Sequence, residues 1–341
     1  MKKSKAAIMA DNVGFYNGDI VDYVYGTQRI ESIRALTDLY PVRITSGNID
    51  TESVKLADLE VIFSCWGMLK MTPSQLDRLP NLKAVFYAGG SVNGFAAPLL
   101  ERGMIVCSGV EANAVPVAEF CLAQILLAMK GYWNNTAKCH CGPWQQASMP
   151  VGVGVYGDTV ALLGIGAISR HLLTLLKPYN LRVIAVSGYL SKHPDEAIAM
   201  GIDKLVTIEE AFREGYVVSN HLPDLDSNRG LLTRKHFASM RQGATFINTG
   251  RGAQVDECGM VDVLKSRPDL TSLLDVQHPE PPNADSELFN LANVHMTSHI
   301  AGSTNDEVRR MADFVIEDFK HWTYGEPLRY AVDQNKLMGR A

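Results

Sequence analysis

The 341-residue chain has few of the features that mark secreted, membrane or nucleic-acid-binding proteins. Its opening, MKKSKAAIMADN, has five apolar residues in a row before Asp11, too few for the core of a signal peptide. No later run is read as a membrane span. Cysteine is sparse and scattered, at 65, 107, 121, 139, 141 and 258; with no export signal these thiols are expected to be reduced. Basic charge is not in excess: 32 Lys and Arg against 37 Asp and Glu leave a net −5, which argues against a nucleic-acid or anionic-membrane partner. Internal repeats, low-complexity tracts and extended linkers are not apparent. The chain ends soon after its last helical pattern, so no appended regulatory domain is expected. These absences together point to a cytoplasmic globular protein.

Its length suits two ordinary domains, and 46% apolar with 20% charged residues is enough to fill real cores. Short Val- and Ile-rich runs alternate with helical patterns along most of the sequence. Among them are Leu59–Ser64, Leu82–Ala88, Thr159–Leu163, Leu181–Val186, Tyr216–Asn220, Ala244–Asn248 and Asn293–Thr297. That alternation predicts an α/β fold with parallel sheets covered on both faces. Thr72-Pro-Ser-Gln75 reads as a capping box opening a helix, and Ala114–Lys130 as a long apolar helix that needs a partner. The Gly/Pro-rich section Gly142–Gly157 is the clearest break in periodicity, and Cys139-His-Cys141 beside it is read as a polar loop rather than a zinc site, which would need more ligands. Composition alone fixes no domain boundary.

In Ala244–Ala253, ATFINTGRGA, an apolar strand runs into one arginine between two glycines, which are read as leaving room for whatever comes close to Arg251. A second glycine-bearing stretch, VALLGIGAIS, reads as strand, turn and helix start. In the GxGxxG pattern of dinucleotide sites the first glycine allows the turn, the second lets backbone approach a pyrophosphate, and the third permits close helix packing. Here Gly164 and Gly166 are present, but Ser169 stands third. The acid expected at the next strand end is also missing. Ser187 stands there, able to bind a ribose hydroxyl but without the charge that repels a 2′-phosphate, and Lys192 and His193 follow. NAD is therefore expected, with NADP possible.

Three strand ends then form a pattern, because Phe246–Asn248 leads to Arg251, Leu273–Val276 to Glu280 and His295–Thr297 to His299. In a parallel sheet these ends share one edge with the Gly164 turn, where ligands of open α/β sheets bind. They would offer an arginine for a carboxylate, an imidazole for proton transfer and a carboxylate to orient it. Taken singly, each could be an ordinary capping or surface group. A metal reading of His278, Glu280, His295 and His299 has ligand-like spacing but no supporting helix or ribbon motif, so no metal is expected.

At these residues the chain resembles the D-isomer-specific 2-hydroxyacid dehydrogenases, from about Leu82 to Val332 and more loosely to the N-terminus. FINTGRGAQVDE, LDVQHPEPPNADS and NVHMTSHIAGST carry most of the likeness, with NHLP and ANAVPVAE in support. The resemblance implies a Rossmann NAD-binding domain, residues 113–303, inserted into a flavodoxin-like substrate domain made of 1–112 and 304–341. It also implies a homodimer aided by the 114–130 helix. The catalytic trio would be Arg251, Glu280 and His299. NAD would lie against Gly164, Gly166, Ala167, Ile168, Ser187, His221, Pro223, Thr249, Gly250, Arg251 and Asp275. The substrate, a small 2-oxo or 2-hydroxy acid, would meet Gly89, Gly90, Ser91, Arg251 and, for an apolar side chain, Trp66. His299 would protonate the carbonyl oxygen while hydride reaches C2, with Glu280 orienting His299 and favouring its charged form. Ser169, Ser187, Gln277, His278 and Ser298 depart from the family's usual residues. Few basic residues near the substrate loops argue for an unphosphorylated acid over D-3-phosphoglycerate. Glu280 argues against a formate dehydrogenase, which typically has glutamine. The alternative from another class is a non-catalytic NAD(H)-binding corepressor-like protein.

Overall fold

Runs such as TVALL and VIFSC are short, largely apolar and without a charge, and every residue in them is buried, as in strands of a parallel sheet covered on both faces. The computed structural model, which describes residues 3–141 and 152–333, contains two such sheets. They lie in two compact units, Met1–Asn113 with Ser303–Ala341, and Ala114–Gly302.

The first unit holds β1 (Lys5–Ile8), β2 (Asp38–Leu39), β3 (Val61–Cys65), β4 (Ala84–Ala88) and β5 (Ile105–Ser108), all parallel in the order β2-β1-β3-β4-β5. Two helices, Ile20–Leu36 and Val308–Tyr324, cover one face. The second buries Val308, Met311, Ala312, Val315, Ile316 and Phe319, a helical stripe, and stops at Gly325 in the left-handed conformation. Phe319 packs edge-on against Phe63 and Phe86 at 5.1 and 5.4 Å between ring centres. Truncating such a buried ring to alanine costs about 3–5 kcal/mol. Helix Pro73–Asp77 opens on the expected capping box, Thr72 accepting from Gln75 N and Gln75 from Thr72 N.

The second unit holds β6 (Thr159–Leu163), β7 (Arg182–Val186), β8 (Lys204–Leu205), β9 (Val217–Asn220), β10 (Thr245–Asn248), β11 (Thr271–Leu274) and β12 (Val294–Met296). Every pair is parallel, in the order β12-β11-β10-β9-β6-β7-β8. The chain winds outward from β6 in both directions, so the carboxyl ends of β6 and β9 flank the reversal of strand order where ligand crevices form.

Several expectations need correcting. The five apolar residues near the N-terminus form β1 and its continuation, and β2, β5 and β8 are strands too short or too plain to stand out. The long apolar helix runs Val110–Met129, starting earlier than its pattern suggested. By length and composition it could cross a membrane, contrary to the first reading, although half of its most apolar window is buried within the chain. Cys139-His-Cys141 ends a helix, Tyr132–Cys141, and is not a loop; Trp133 of that helix lies against His295, with ring centres 4.6 Å apart and planes tilted by 35°. Residues 142–151 of the Gly/Pro-rich section, and 334–341 of the expected substrate domain, lie outside the described residues. The chain crosses between units at Asn113–Ala114 and Gly302–Ser303. Asn113 Oδ1 accepts from Ser303 N at 2.9 Å, tying the two crossings together.

Candidate active site

The turn after β6 needs glycine at its first position. Gly164 has φ +85°, and a Cβ there would stand 2.7 Å from the carbonyl oxygen of His221. Gly166 leads into helix Ala167–Leu176 with no side chain capping its first amides, and a Cβ on Gly166 would meet nothing within 4 Å. Free helix N-terminal amides above an open glycine suit a phosphate group. Ser169, in place of the third glycine, is fully buried, and its hydroxyl donates to Gly164 O at 2.7 Å. The residues thus fit a bound dinucleotide.

Beside this turn, the ends of β9 and β10 are held by three buried amides. Asn220 Nδ2 donates to Asn248 Oδ1 at 3.0 Å and to Gln254 Oε1 at 2.8 Å, while Gln254 Nε2 donates to the carbonyls of Leu222 and Pro223. Asn220 and Gln254 carry no catalytic signature in the sequence; the available signal is that two neighbouring apolar strands, VVSN and TFIN, both end on asparagine. His221 is buried between Ser219 Oγ at 2.9 Å and Thr249 Oγ1 at 3.3 Å, and Thr249 meets Cys121 Sγ at 3.5 Å. Burial depresses the His221 imidazole to about 4, so it stays neutral and serves one neighbour as donor and the other as acceptor.

Arg251 leaves this framework with its side chain about one-third exposed. Its Nε donates to Asp224 Oδ2 at 3.3 Å and its Nη1 to Gly250 O at 2.7 Å. The flanking glycines have a cause different from room for a ligand. A Cβ on Gly252 would fall 2.0 Å from the carbonyl carbon of Gln277, and one on Gly250 would crowd Gln254 and Asn220 at 2.9 and 3.0 Å. Both glycines let the Arg251 loop pack against the protein itself.

His299 Nδ1 lies 2.6 Å from Glu280 Oε1, with both side chains about half exposed. His299 has φ +60°, an uncommon conformation outside glycine. Asp275, the first residue beyond β11, accounts for it: its carbonyl accepts from His299 N, and its carboxylate accepts from Ile300 N, Ala301 N and Thr297 Oγ1 at 2.8, 3.1 and 2.6 Å. Expected among cofactor contacts, Asp275 first builds the loop that carries His299. A metal cluster is not found among the described residues.

At the end of β7, Ser187 Oγ accepts from Leu190 N at 3.2 Å, closing the turn. Beyond it Tyr189 stacks on His193 at 4.2 Å and donates to Glu196, a bond that raises the Tyr189 hydroxyl above its usual range.

The remaining expected residues, Trp66 and Gly89–Ser91, belong to the first unit. The Ser108 hydroxyl lies 3.2 and 2.7 Å from the carbonyl oxygens of Gly89 and Gly90. In a trans peptide N–H and C=O point oppositely, so the amides of Gly90 and Ser91 face away from Ser108 as a pair, an arrangement that favours an anion.

A family model described as the D-isomer-specific 2-hydroxyacid dehydrogenase NAD-binding domain matches residues 122–301, more than half of the chain. The chain belongs to this family. The Gly164 turn, the His221 and Thr249 loops and the Arg251, Glu280 and His299 side chains all fall within the matched domain. The D-3-phosphoglycerate dehydrogenase of Methanocaldococcus jannaschii is 27% identical over 298 residues, covering 87% of this chain and 56% of that protein. The (S)-sulfolactate dehydrogenase of Chromohalobacter salexigens is 28% identical over 72% of this chain and 79% of its own length. The chain spans about half the length of the phosphoglycerate dehydrogenases it matches first. A phosphoglycerate oxidoreductase from Rhizobium etli shares the fold with a TM-score of 0.81 at 19% identity, over 98% of this chain and all of that one.

Proposed function

We propose that the protein is an NAD(P)-dependent oxidoreductase that interconverts a small, unphosphorylated 2-oxo acid and its 2-hydroxy acid. The observation that carries this reading is the His299–Glu280 pair at 2.6 Å, on the same sheet edge as the Gly164 turn. NAD, when bound, supplies or accepts the hydride. His299 gives its proton to the carbonyl oxygen in reduction and takes it back in oxidation, and Glu280, on the other ring nitrogen, fixes which nitrogen does so. Arg251 exchanges Asp224 for the acid's carboxylate and polarises its carbonyl. In the first unit, the amides of Gly90 and Ser91 are the groups suited to an anion.

For the cofactor, Ser187 offers a hydroxyl without negative charge, which supports NAD with only modest discrimination against NADP. Homodimer formation is supported by helix Val110–Met129, which is strongly apolar yet leaves Leu127 and the following Tyr132 exposed. A reducing, cytoplasmic setting is supported by the scattered, free cysteines, of which Cys65, Cys107 and Cys121 are buried. The test is NADH and NADPH oxidation with a panel of 2-oxo acids that includes glyoxylate, hydroxypyruvate, larger acids and 3-phosphohydroxypyruvate. Turnover of 3-phosphohydroxypyruvate alone would replace this reading with a phosphoglycerate dehydrogenase. Tight NADH binding without any turnover would favour a non-catalytic, nucleotide-sensing role.

A further inference from the structure

β3 and β4 are paired through Cys65 and Ala88, so Trp66 and Gly89 open neighbouring loops at the same sheet edge. The loop that carries Trp66 is therefore the neighbour of the loop that carries the paired amides of Gly90 and Ser91. Its place is fixed by a crossing of two loops. Asp11 N donates to Gly67 O at 2.9 Å, and Gly67, at φ +89°, cannot be replaced without a Cβ striking Asp11 O at 2.1 Å. The loop after β1 then brings Phe15 edge-on to Trp66, with ring centres 5.5 Å apart and planes at 81°.

Phe15 is 70% exposed, although the loop that carries it is well anchored. Asn12 Oδ1 accepts from Ile20 N at 3.1 Å, and Tyr16, next to Phe15, stacks on Tyr23 at 4.2 Å. A phenyl ring held in water on an ordered loop, against a tryptophan one strand from an anion-binding amide pair, is placed to meet an apolar group attached to that anion. Charge in the same loops is ill suited to a second anion: Asp11–Asp19 holds two aspartates and no basic residue, and Trp66–Met71 holds Lys70 alone.

We infer that Phe15 and Trp66 form the pocket for the substrate's side chain, and that the preferred substrate is a 2-oxo acid bearing an aromatic group on C3. This rests on the function proposed above. Its carboxylate sits on the Gly90 and Ser91 amides, and its ring reaches over the indole, with Phe15 closing the outer edge.

NADH oxidation is compared for glyoxylate, pyruvate, 4-methyl-2-oxopentanoate and phenylpyruvate, in the parent, Phe15→Ala and Phe15→Leu, with NADH affinity followed by its fluorescence. The expected result is a kcat/KM that rises with apolar size and is highest for phenylpyruvate. Phe15→Ala should lose at least tenfold on phenylpyruvate, mainly through KM, with glyoxylate and NADH binding unchanged, and Phe15→Leu should recover part of the loss. If glyoxylate or pyruvate is the best substrate and Phe15→Ala affects none of them, the inference fails while the proposed function stands. A Phe15→Ala variant that changes self-association but no kinetic constant also overturns it. If NADH binds and no acid is reduced, the proposed function itself fails, and this inference with it.

Discussion

The Ser169 hydroxyl donates to the Gly164 carbonyl at 2.7 Å from a fully buried position. A residue that departs from the glycine pattern of the turn thereby ties the first turn of helix Ala167–Leu176 back to the turn itself. Removing a buried hydrogen bond of this kind costs about 1 kcal/mol. Ser169→Ala should lower the urea midpoint accordingly and weaken NADH binding a few-fold. Ser169→Val, which adds a methyl group at a fully buried position, should do more of both. Unchanged midpoint and affinity in the alanine variant would mean that the bond contributes nothing to the turn.

Glu280 is a positioning residue in the proposed mechanism, acting through His299. Replacing His299 with Asn should depress kcat by roughly a hundredfold or more, the usual scale for a positioned acid–base group. Glu280→Gln keeps the size and a hydrogen bond but removes the charge, and should cost roughly tenfold in kcat with NADH affinity unaltered. The two effects should not add: in the His299→Asn background, Glu280→Gln should cost almost nothing further. A fully additive double variant would show that Glu280 acts on the reaction by another route.

Much of this was legible in the sequence, and what was not has physical reasons. Strands buried on both faces announce themselves as continuous apolar runs, which is why β3, β4, β6, β7, β9 and β10 stand out and the two-residue β2 and β8 do not. Arg251, Glu280 and His299 are charged or titratable residues just past strand ends, a placement visible from pattern. Asn220, Asn248 and Gln254 act through buried amide bonds made across 28 and 34 residues, and pairing of that kind has no period. The two glycines around Arg251 look like clearance for a ligand; only the folded backbone reveals that Gln277 and the amide network fill the space. Phe15, in a polar, glycine-bearing loop, gains meaning only from Trp66 beside it.

His221 makes stability depend on pH. Its imidazole titrates near 4 in the native protein, against 6.5 for an ordinary histidine, because burial disfavours the charged form. Between those values the unfolded chain binds a proton that the native one refuses, so this site's contribution is full above about 6.5 and is lost as pH falls toward about 4. The loss is on the order of 3 kcal/mol over the whole window. Urea unfolding at pH 7 and pH 5 should therefore show a steeper fall for the parent than for His221→Asn, whose amide does not titrate. Equal falls in both proteins would place the acid sensitivity elsewhere.

The choice of cofactor should be adjustable at Ser187. Its hydroxyl already accepts from Leu190 N at 3.2 Å, and an aspartate can make the same bond, so Ser187→Asp preserves the turn at the end of β7. What it adds is a carboxylate where the adenosine ribose is expected. For NAD that carboxylate accepts from the ribose hydroxyls, and for NADP it opposes a 2′-phosphate. A repulsion of about 1.4 kcal/mol corresponds to a tenfold change, a modest demand on two charges at close range. The parent should thus use both nucleotides within about tenfold of each other, and Ser187→Asp should raise the NADH to NADPH ratio of kcat/KM by at least tenfold. Most of that change should come from poorer NADPH binding. If the parent already rejects NADPH by several orders of magnitude, the discrimination is made by other residues, with Tyr189 and Glu196 beyond the turn the first to replace.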